Sequence, residues 1–122
     1  MVYYPDLSSN PLEKTTHVGW LDREQTFSRG VVDPQFMEKL KLLYKQRVRQ
    51  TRGFHVCPFC KERRFGIPVE LDGKSLSLGS AEIEISDDQG RVYRAPDLIY
   101  HYITEHQYLP PPEFIQAVCN RS

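Results

Sequence analysis

Two cysteines and two histidines are the residues of this chain whose types and spacing suggest a defined chemistry. Cys57 and Cys60 form a C-x-x-C pair, and His101 and His106 lie together in one predicted helix farther along the chain. Two thiolates and two imidazoles are a usual donor set for a tetrahedral structural zinc ion. Because four protein ligands leave no coordination position for water, the sequence predicts structural Zn²⁺ at Cys57, Cys60, His101 and His106 and nominates no catalytic residue.

The spacing of the four predicted ligands places two conditions on the site. Residues five apart on an ideal helix lie about 140° apart around its axis, so His101 and His106 reach one ion only if the last turn widens near His106. Forty residues separate Cys60 from His101, which is far more than the roughly 12–15 of a free-standing zinc finger. The predicted ion therefore fastens a larger domain.

Two other interpretations of these residues stay open. Cys57-Pro-Phe-Cys60 resembles the dithiol active site of glutaredoxins, but such a site needs a helix after its second cysteine, and Gly66 and Pro68 interrupt one. The four residues can also be buried packing residues, with the cysteines acting as small apolar side chains.

The other histidines and the third cysteine are expected to have supporting roles. His55, two residues before Cys57, is a further donor that could replace one of the four ligands, but we expect it to support the site or to lie on the surface. We expect His17 to be a surface or hydrogen-bonded residue, and Cys119 to pack in a closing helix.

Turn signals and apolar periodicity predict the elements that position the ligands. Pro58 favours the tight turn that directs both sulfurs to one side. Asp33-Pro34 is a strong helix start, because an N-cap acceptor precedes proline at the first helical position. The predicted helices run from about 34 to about 50, from Pro96 and Asp97 to His106, and from 112 to 120. The predicted strands are 16–22, 67–71 and 75–78 around the turn Asp72-Gly73, and 81–86 with 91–95.

These elements predict an α+β fold with a small antiparallel sheet and two to three helices around a zinc-stapled core. The order of the Cys57–Cys60 turn, the hairpins and the histidine-bearing helix is that of treble-clef-like and ββα zinc modules. We expect one domain, 1–122, with an extended N-terminal arm at 1–16, a zinc-binding core at 53–109 and a closing helix at 111–120.

Composition is ordinary for a soluble globular chain, at 39% apolar and 26% charged residues among 122. The first residues lack the basic and apolar regions of a signal peptide, and no segment approaches the roughly 20 apolar residues of a membrane span. Three cysteines, an odd number, do not suggest a secreted disulfide framework. We therefore expect a cytoplasmic protein without a membrane partner.

Charge is balanced overall but unevenly distributed. Between Lys39 and Arg64 there are nine basic residues against one acid, Glu62, a net charge of +8, so the rest of the chain carries −8. Such a segment either forms a basic face or is neutralised by acids on folding. If it is a nucleic-acid surface, the phosphate contacts are predicted at Lys41, Lys45, Arg49, Arg52, Arg63 and Arg64.

Several phrases of the sequence resemble an uncharacterised bacterial family. They are Tyr3-Tyr-Pro-Asp-Leu7, Val18-Gly-Trp-Leu-Asp22, Gly79-Ser-Ala-Glu-Ile83 and the stretch from Ala95 to His106 followed by Tyr108 and Pro-Pro-Glu-Phe114. The His-Tyr-x-x-x-His-x-Tyr-x-Pro-Pro phrase is the most specific of them. The resemblance implies a single bacterial intracellular domain and supplies no activity, so no catalytic residues carry over.

Three functional hypotheses follow. The first is a non-enzymatic module in which structural zinc holds a docking surface for a protein partner, with seven tyrosines as interface candidates. The second is a nucleic-acid-binding zinc protein that uses the basic segment 39–64. The third is a thiol-disulfide oxidoreductase, which requires a reactive Cys57 with a lowered pKa.

Overall fold

The computed structural model describes residues 3–12, 14–47, 56–60, 66–71 and 73–120. Within these ranges the chain forms six strands, three α-helices and one 3₁₀ turn. The strands are β1 Ser9–Asn10, β2 Thr15–His17, β3 Ile67–Leu71, β4 Lys74–Leu78, β5 Glu82–Ser86 and β6 Val92–Pro96. The helices are α1 Pro34–Leu43, α2 Ile99–His106 and α3 Pro112–Cys119, and the 3₁₀ turn is Tyr44–Gln46. None of the helices in these ranges is both long enough and apolar enough to cross a membrane.

The strands form two sheets. A four-stranded sheet has the order β1-β2-β6-β5, and β3 pairs with β4 in a separate hairpin. All pairs are antiparallel except β2 with β6, which are parallel. A parallel pair needs a long crossover, and the chain between β2 and β6 carries α1 and the β3–β4 hairpin. The predicted α+β class, with small antiparallel sheets and three helices, is confirmed.

The β5–β6 hairpin follows the predicted alternation. Ile83 and Ile85 are buried, while Glu82 and Glu84 are half-buried on the other face. Across the hairpin, Arg94 Nη2 lies 2.6 Å from Glu84 Oε1, and Arg94 Nε lies 3.7 Å from Glu82 Oε1. Apolar side chains therefore face the core, and a cross-strand ion-pair network covers the outer face.

Helix α1 starts where predicted but ends earlier. The Asp33 carboxylate accepts a hydrogen bond from the Gln35 N–H at 2.8 Å, and Pro34 occupies the first turn. The predicted end near residue 50 is wrong, because the α-helix ends at Leu43 and Arg47 is extended, with φ −61° and ψ 144°. Arg47 follows the 3₁₀ turn, and its guanidinium binds the carboxylate of Asp97 at 3.1 Å. Residues 48–50 lie outside the described ranges.

The N-terminal region is more regular than the predicted extended arm. β1 pairs with β2, and β2 ends at His17, so the predicted strand at 16–22 is wrong over most of its length. Gly19 has a φ of +79°, which ends the extended conformation, and a Cβ there would lie 3.1 Å from Ile99 Cδ1. The backbone at Gly19 therefore contacts the start of α2 closely.

The core joins the helices to the four-stranded sheet through aromatic side chains. The Phe114 ring of α3 makes edge contacts with Phe36 of α1 at 6.1 Å and with Tyr93 of β6 at 6.0 Å between centroids. The larger fully buried side chains are Tyr93, Tyr102, Tyr108, Phe36, Phe114 and Leu40. Four of the seven tyrosines proposed for an interface, Tyr44, Tyr93, Tyr102 and Tyr108, are therefore core residues.

Candidate metal centre

The first half of the site is the turn that carries Cys57 and Cys60. Cys57 is buried and Cys60 is half-buried, and neither forms a disulfide. Burial raises the pKa of the Cys57 thiol to about 11, although hydrogen bonds from the backbone N–H groups of Phe59 and Cys60 act to lower it. Backbone N–H groups directed at a sulfur stabilise the thiolate form. The Cys57 thiol therefore keeps its proton at neutral pH unless a metal ion binds the sulfur and displaces the proton.

The second half of the site is α2, whose last turn is wider than that of an ideal helix. The Gln107 N–H bonds to the Tyr102 carbonyl, five residues back, where an α-helix bonds four residues back. Gln107 has a φ of +56°, and the Tyr108 N–H also reaches Tyr102 O at 3.1 Å. This widening is what the spacing of His101 and His106 required, and their ring centroids lie 5.1 Å apart.

The four candidate ligands converge on one point. Cys57 Sγ lies 3.3 Å from His106 Nε2, and Cys60 Sγ lies 3.2 Å from His101 Nε2 and 3.6 Å from His106 Nε2. All four ligand atoms lie within 4.8 Å of one another. A tetrahedron with Zn–S and Zn–N bonds of about 2.3 and 2.0 Å has edges of about 3.3–3.8 Å. Cys57, Cys60, His101 and His106 are therefore close enough to hold a metal ion, and the geometry is compatible with zinc.

Helix α2 is held in place by a polar cluster that the sequence did not reveal. Asp97, fully buried, accepts hydrogen bonds from Gly79 N–H at 2.8 Å and from Arg47 Nη1 at 3.1 Å. Burial raises the pKa of the Asp97 carboxyl above its usual range, although the bonds from Gly79 and Arg47 act in the opposite direction. Arg47 also donates to the Ser77 carbonyl at 3.2 Å. The loop before α2 is thus tied both to α1 and to the β3–β4 hairpin.

The N-terminus of α2 is capped by a distant side chain. Pro96 is the last residue of β6 and Asp97 faces Gly79 and Arg47, so the predicted helix start at Pro96 and Asp97 is wrong. The N-cap residue Leu98 has no side-chain acceptor. Instead, the Tyr44 hydroxyl accepts from the Tyr100 N–H at 3.1 Å and donates to the Asp97 carbonyl at 2.7 Å.

Aromatic side chains cover one side of the four ligands. Phe59, between the two cysteines, lies 5.4 Å from the His106 ring, and Phe27 lies 5.1 Å from Phe59. Burial lowers the pKa of the His106 imidazole, Glu105 opposes this shift, and Arg29 adds to it. The imidazole is therefore neutral at pH 7, which is the form that binds a metal.

A surface depression borders the other side of the site. Its volume is about 610 Å³, and Cys60, His101 and His106 form part of its lining. Glu70 and Glu105, both exposed, lie at the same depression. Three of the four candidate ligands therefore border an accessible surface, while Cys57 is not part of its lining.

The remaining predicted residues have varied outcomes. His17 Nδ1 lies 3.0 Å from Ser8 Oγ, and its ring stacks on Tyr4 at 3.7 Å, so it is a hydrogen-bonded residue as expected. Cys119 is half-buried and packs against the core, also as expected.

Of the residues predicted to contact nucleic acid, Lys41 pairs with Glu38 at 3.2 Å, and Lys45 is exposed. Arg49, Arg52, His55, Arg63, Arg64 and the turn residue Asp72 lie outside the described residues.

The family of the chain follows from a match over nearly its whole length. A family model for a domain of unknown function, DUF7919, matches residues 2–119. The chain belongs to this family. The predicted resemblance to an uncharacterised family is thus confirmed, while the bacterial origin stays a prediction. No curated protein and no solved structure matches the chain.

In this DUF7919 chain, sequence reasoning missed three residues that position the candidate ligands. The sequence predicts Asp97 as part of a helix start, places Arg47 only in the basic segment 39–64, and counts Tyr44 only among the interface tyrosines. Their roles depend on hydrogen bonds that span 50 or more residues, from Arg47 to Asp97 and from Tyr44 to Asp97 and Tyr100. No local signal was available, because Asp97 has the type of a helix cap in the sequence, and only the structure shows that Leu98 is the N-cap residue.

Proposed function

We propose that this DUF7919 domain is a non-enzymatic interaction module whose fold is fastened by one structural zinc ion. The observation that carries the proposal is the convergence of the Cys57, Cys60, His101 and His106 ligand atoms within 4.8 Å. Two sulfurs and two imidazole nitrogens favour zinc over the hard cations Mg²⁺ and Ca²⁺, which prefer oxygen ligands. A closed set of four protein ligands supports a structural role, because it leaves no position for a substrate or water.

The direct test is the metal content and its effect on folding. We expect elemental analysis of the purified protein to find one zinc per chain, and chelation to lower the melting temperature steeply, because metal binding energy is part of the folding energy. A metal-free protein that melts at the same temperature with and without zinc would remove the proposal.

A groove away from the metal centre supports the interaction role. The β5–β6 turn and α3 border a groove of about 700 Å³ whose lining includes four acids and one base. The acids are Glu84, Asp87, Asp88 and Glu113, and the base is Arg91. Glu84 is paired with Arg94, and Arg91 interacts electrostatically with Asp87 and Glu113, so the remaining three acids and one base give the groove a net charge of 1 − 3 = −2. We propose that the protein partner presents a basic surface to this groove.

The partner test uses charge reversal at an exposed position. Asp88→Lys and Glu113→Lys are expected to abolish capture of a stoichiometric partner from native lysate, while Glu24→Lys, an exposed acid outside the groove lining, leaves capture unchanged. An equal loss of partner capture in all three variants would show that capture depends on overall charge and not on this groove. Capture that survives both groove variants rules out the groove. The absence of any stoichiometric partner counts against the interaction role itself.

A second candidate function is nucleic-acid binding by the segment 39–64. The observation in its favour is the net charge of +8 on that segment, together with the exposure of Lys45. Against it, Lys41 and Arg47 already pair with Glu38 and Asp97. Binding would have to weaken steeply between about 50 and 200 mM salt, and an affinity independent of salt would eliminate this function.

The structure gives no support to a thiol oxidoreductase. Such an enzyme needs a thiol with a lowered pKa, whereas burial raises the pKa of Cys57 to about 11. Both sulfurs also lie against imidazole nitrogens, as metal ligands do. The treble-clef likeness and the cytoplasmic location remain parts of the proposal.

A further inference from the structure

The hydroxyl group of Tyr102 has no role in the fold as described. Its side chain is fully buried, and the hydroxyl has no hydrogen-bond partner among the residues of the described ranges. Burying a hydroxyl without a partner costs about 1–3 kcal/mol. A phenylalanine would fill the same space without that cost, so the hydroxyl calls for a physical explanation.

The surroundings of Tyr102 are those of the metal centre. The residue lies on α2 directly after His101, and its ring makes an edge contact with Phe59, between the two cysteines, at 5.9 Å. Burial raises the pKa of Tyr102, and the negative charges of Cys57, Cys60 and Asp97 raise it further, in that order. The Tyr102 side chain therefore packs against the turn that carries both sulfurs.

Among these three groups, Asp97 is the least suitable acceptor. One of its carboxylate oxygens binds Gly79 N–H and the other binds Arg47. The sulfurs differ, because a cysteine becomes a thiolate when it binds a metal ion, and a thiolate accepts hydrogen bonds that a thiol accepts only weakly.

We infer that Tyr102 is a positioning residue of the metal centre, whose hydroxyl donates a hydrogen bond to the Cys57 sulfur when that sulfur is metal-bound. The inference rests on the proposed zinc site. A donor beside a metal-bound thiolate disperses its negative charge and fixes its direction, and such outer partners typically change metal affinity 10–100-fold. The same bond removes the cost of the unpartnered hydroxyl.

The test compares Tyr102→Phe with a matched control, Tyr108→Phe. Tyr108 is also fully buried, but its hydroxyl binds Asp6 Oδ2 at 2.8 Å, away from the sulfurs. Zinc affinity is measured by competition with a chromophoric chelator. We expect Tyr102→Phe to bind zinc ~10–100-fold more weakly than wild type, and Tyr108→Phe to bind zinc as wild type does while melting at a lower temperature.

Cobalt substitution gives a readout that a change in packing does not move. Loss of a hydrogen bond to a thiolate raises the energy of the sulfur electrons, so the sulfur-to-cobalt charge-transfer band of Tyr102→Phe is expected at longer wavelength than in wild type. Tyr108→Phe is expected to leave the band unchanged. Unchanged zinc affinity and an unchanged band in Tyr102→Phe would overturn the inference.

A measurement on the wild-type chain covers the case in which Tyr102→Phe does not fold. In protein loaded with ¹¹³Cd, a hydroxyl proton that bonds to a metal-bound sulfur is expected to exchange slowly and to show scalar coupling to the cadmium nucleus. Rapid exchange of the Tyr102 hydroxyl proton would refute the inference. If wild type binds no metal at all, the proposed function fails instead, so the two failures are distinguishable.

Discussion

At the scale of single residues, the four candidate ligands differ in their access to water. Cys57 and His101 are 5% and 7% exposed, whereas Cys60 and His106 are half-buried. A ligand next to solvent can be replaced by a water molecule, because the ion keeps four donors. A buried ligand cannot be replaced in this way without opening the core.

This difference predicts unequal effects for the two histidines. His101→Ala is expected to abolish zinc binding and cooperative unfolding, whereas His106→Ala retains weakened binding with water as the fourth donor. Calorimetric titration with zinc and thermal unfolding measure both effects. Cys119→Ser is the control, because this half-buried cysteine lies on α3 and outside the ligand cluster. Equal losses in His101→Ala and His106→Ala would contradict the prediction.

Proton competition at the ligands predicts a pH dependence. The pKa of Cys57 is raised to about 11, so at pH 7 the metal-free thiol carries a proton that zinc must displace. The pKa of His106 is lowered, so its imidazole is already neutral at pH 7. Because the metal-free state binds more protons than the complex, zinc affinity must increase with pH, about tenfold per unit for each proton displaced.

Calorimetry of zinc binding in buffers with different ionisation enthalpies counts those protons. We expect at least one to be released per zinc at pH 7, with further release at lower pH as His106 becomes protonated in the metal-free state. Zinc binding without any proton release at pH 7 would show that the Cys57 sulfur is not a ligand.

At the scale of elements, the position of α2 depends on the Tyr44 hydroxyl, which connects the end of α1 to the start of α2. Tyr44→Phe removes the partner of the Tyr100 N–H and of the Asp97 carbonyl. Leaving buried polar groups unpartnered costs about 1–3 kcal/mol. We therefore expect Tyr44→Phe to lower the free energy of unfolding of the zinc-loaded protein by about 1–3 kcal/mol, as measured by denaturant unfolding.

The matched control for Tyr44→Phe is Tyr4→Phe, in which the ring contacts with His17 and Trp20 are preserved. That variant is expected to unfold at nearly the same denaturant concentration as wild type. If Tyr44→Phe also matches wild type, the hydroxyl does not cap the helix in solution.

The same elements show what the sequence predicted and what it did not. The alternation of Ile83 and Ile85 and the Asp33-Pro34 start are local signals, and the β5–β6 hairpin and the start of α1 are confirmed. The end of α1 and the start of α2 depend on the pairing of Arg47 with Asp97 across the fold. The local sequence around either residue contains no sign of the other, so the two boundaries were wrong.

The candidate ligands were more predictable than the elements that hold them. Thiolates and imidazoles at ligand spacing have few other uses, so Cys57, Cys60, His101 and His106 were identified by type alone. The widened turn at Gln107 was required by the five-residue spacing and is present. The Tyr102 hydroxyl was not predicted, because only coordinates show that a buried group lacks a partner.

At the scale of the whole molecule, Asp6 joins three distant parts of the chain. Its carboxylate accepts from the Gly19 N–H at 2.9 Å and from the Tyr108 hydroxyl at 2.8 Å. Asp6→Ala is expected to accelerate amide hydrogen exchange at Gly19 and at Tyr108 while zinc affinity is preserved, because neither bond touches a ligand. The control is Asp22→Ala, whose carboxylate accepts a local hydrogen bond from Arg23 N–H at 2.8 Å. Exchange rates unchanged by Asp6→Ala would contradict this connection.

The long separation between the two halves of the metal centre has a consequence for biosynthesis. Forty-five residues lie between Cys60 and His106, and at about 5–20 residues per second a ribosome needs roughly 2–9 s to make them. Until His101 is added, the nascent chain offers two sulfurs and no imidazole from α2. If the site holds zinc as proposed, the ion is captured with its full set of donors only after both hairpins have been synthesised, and metal supply acts late, on a nearly finished chain.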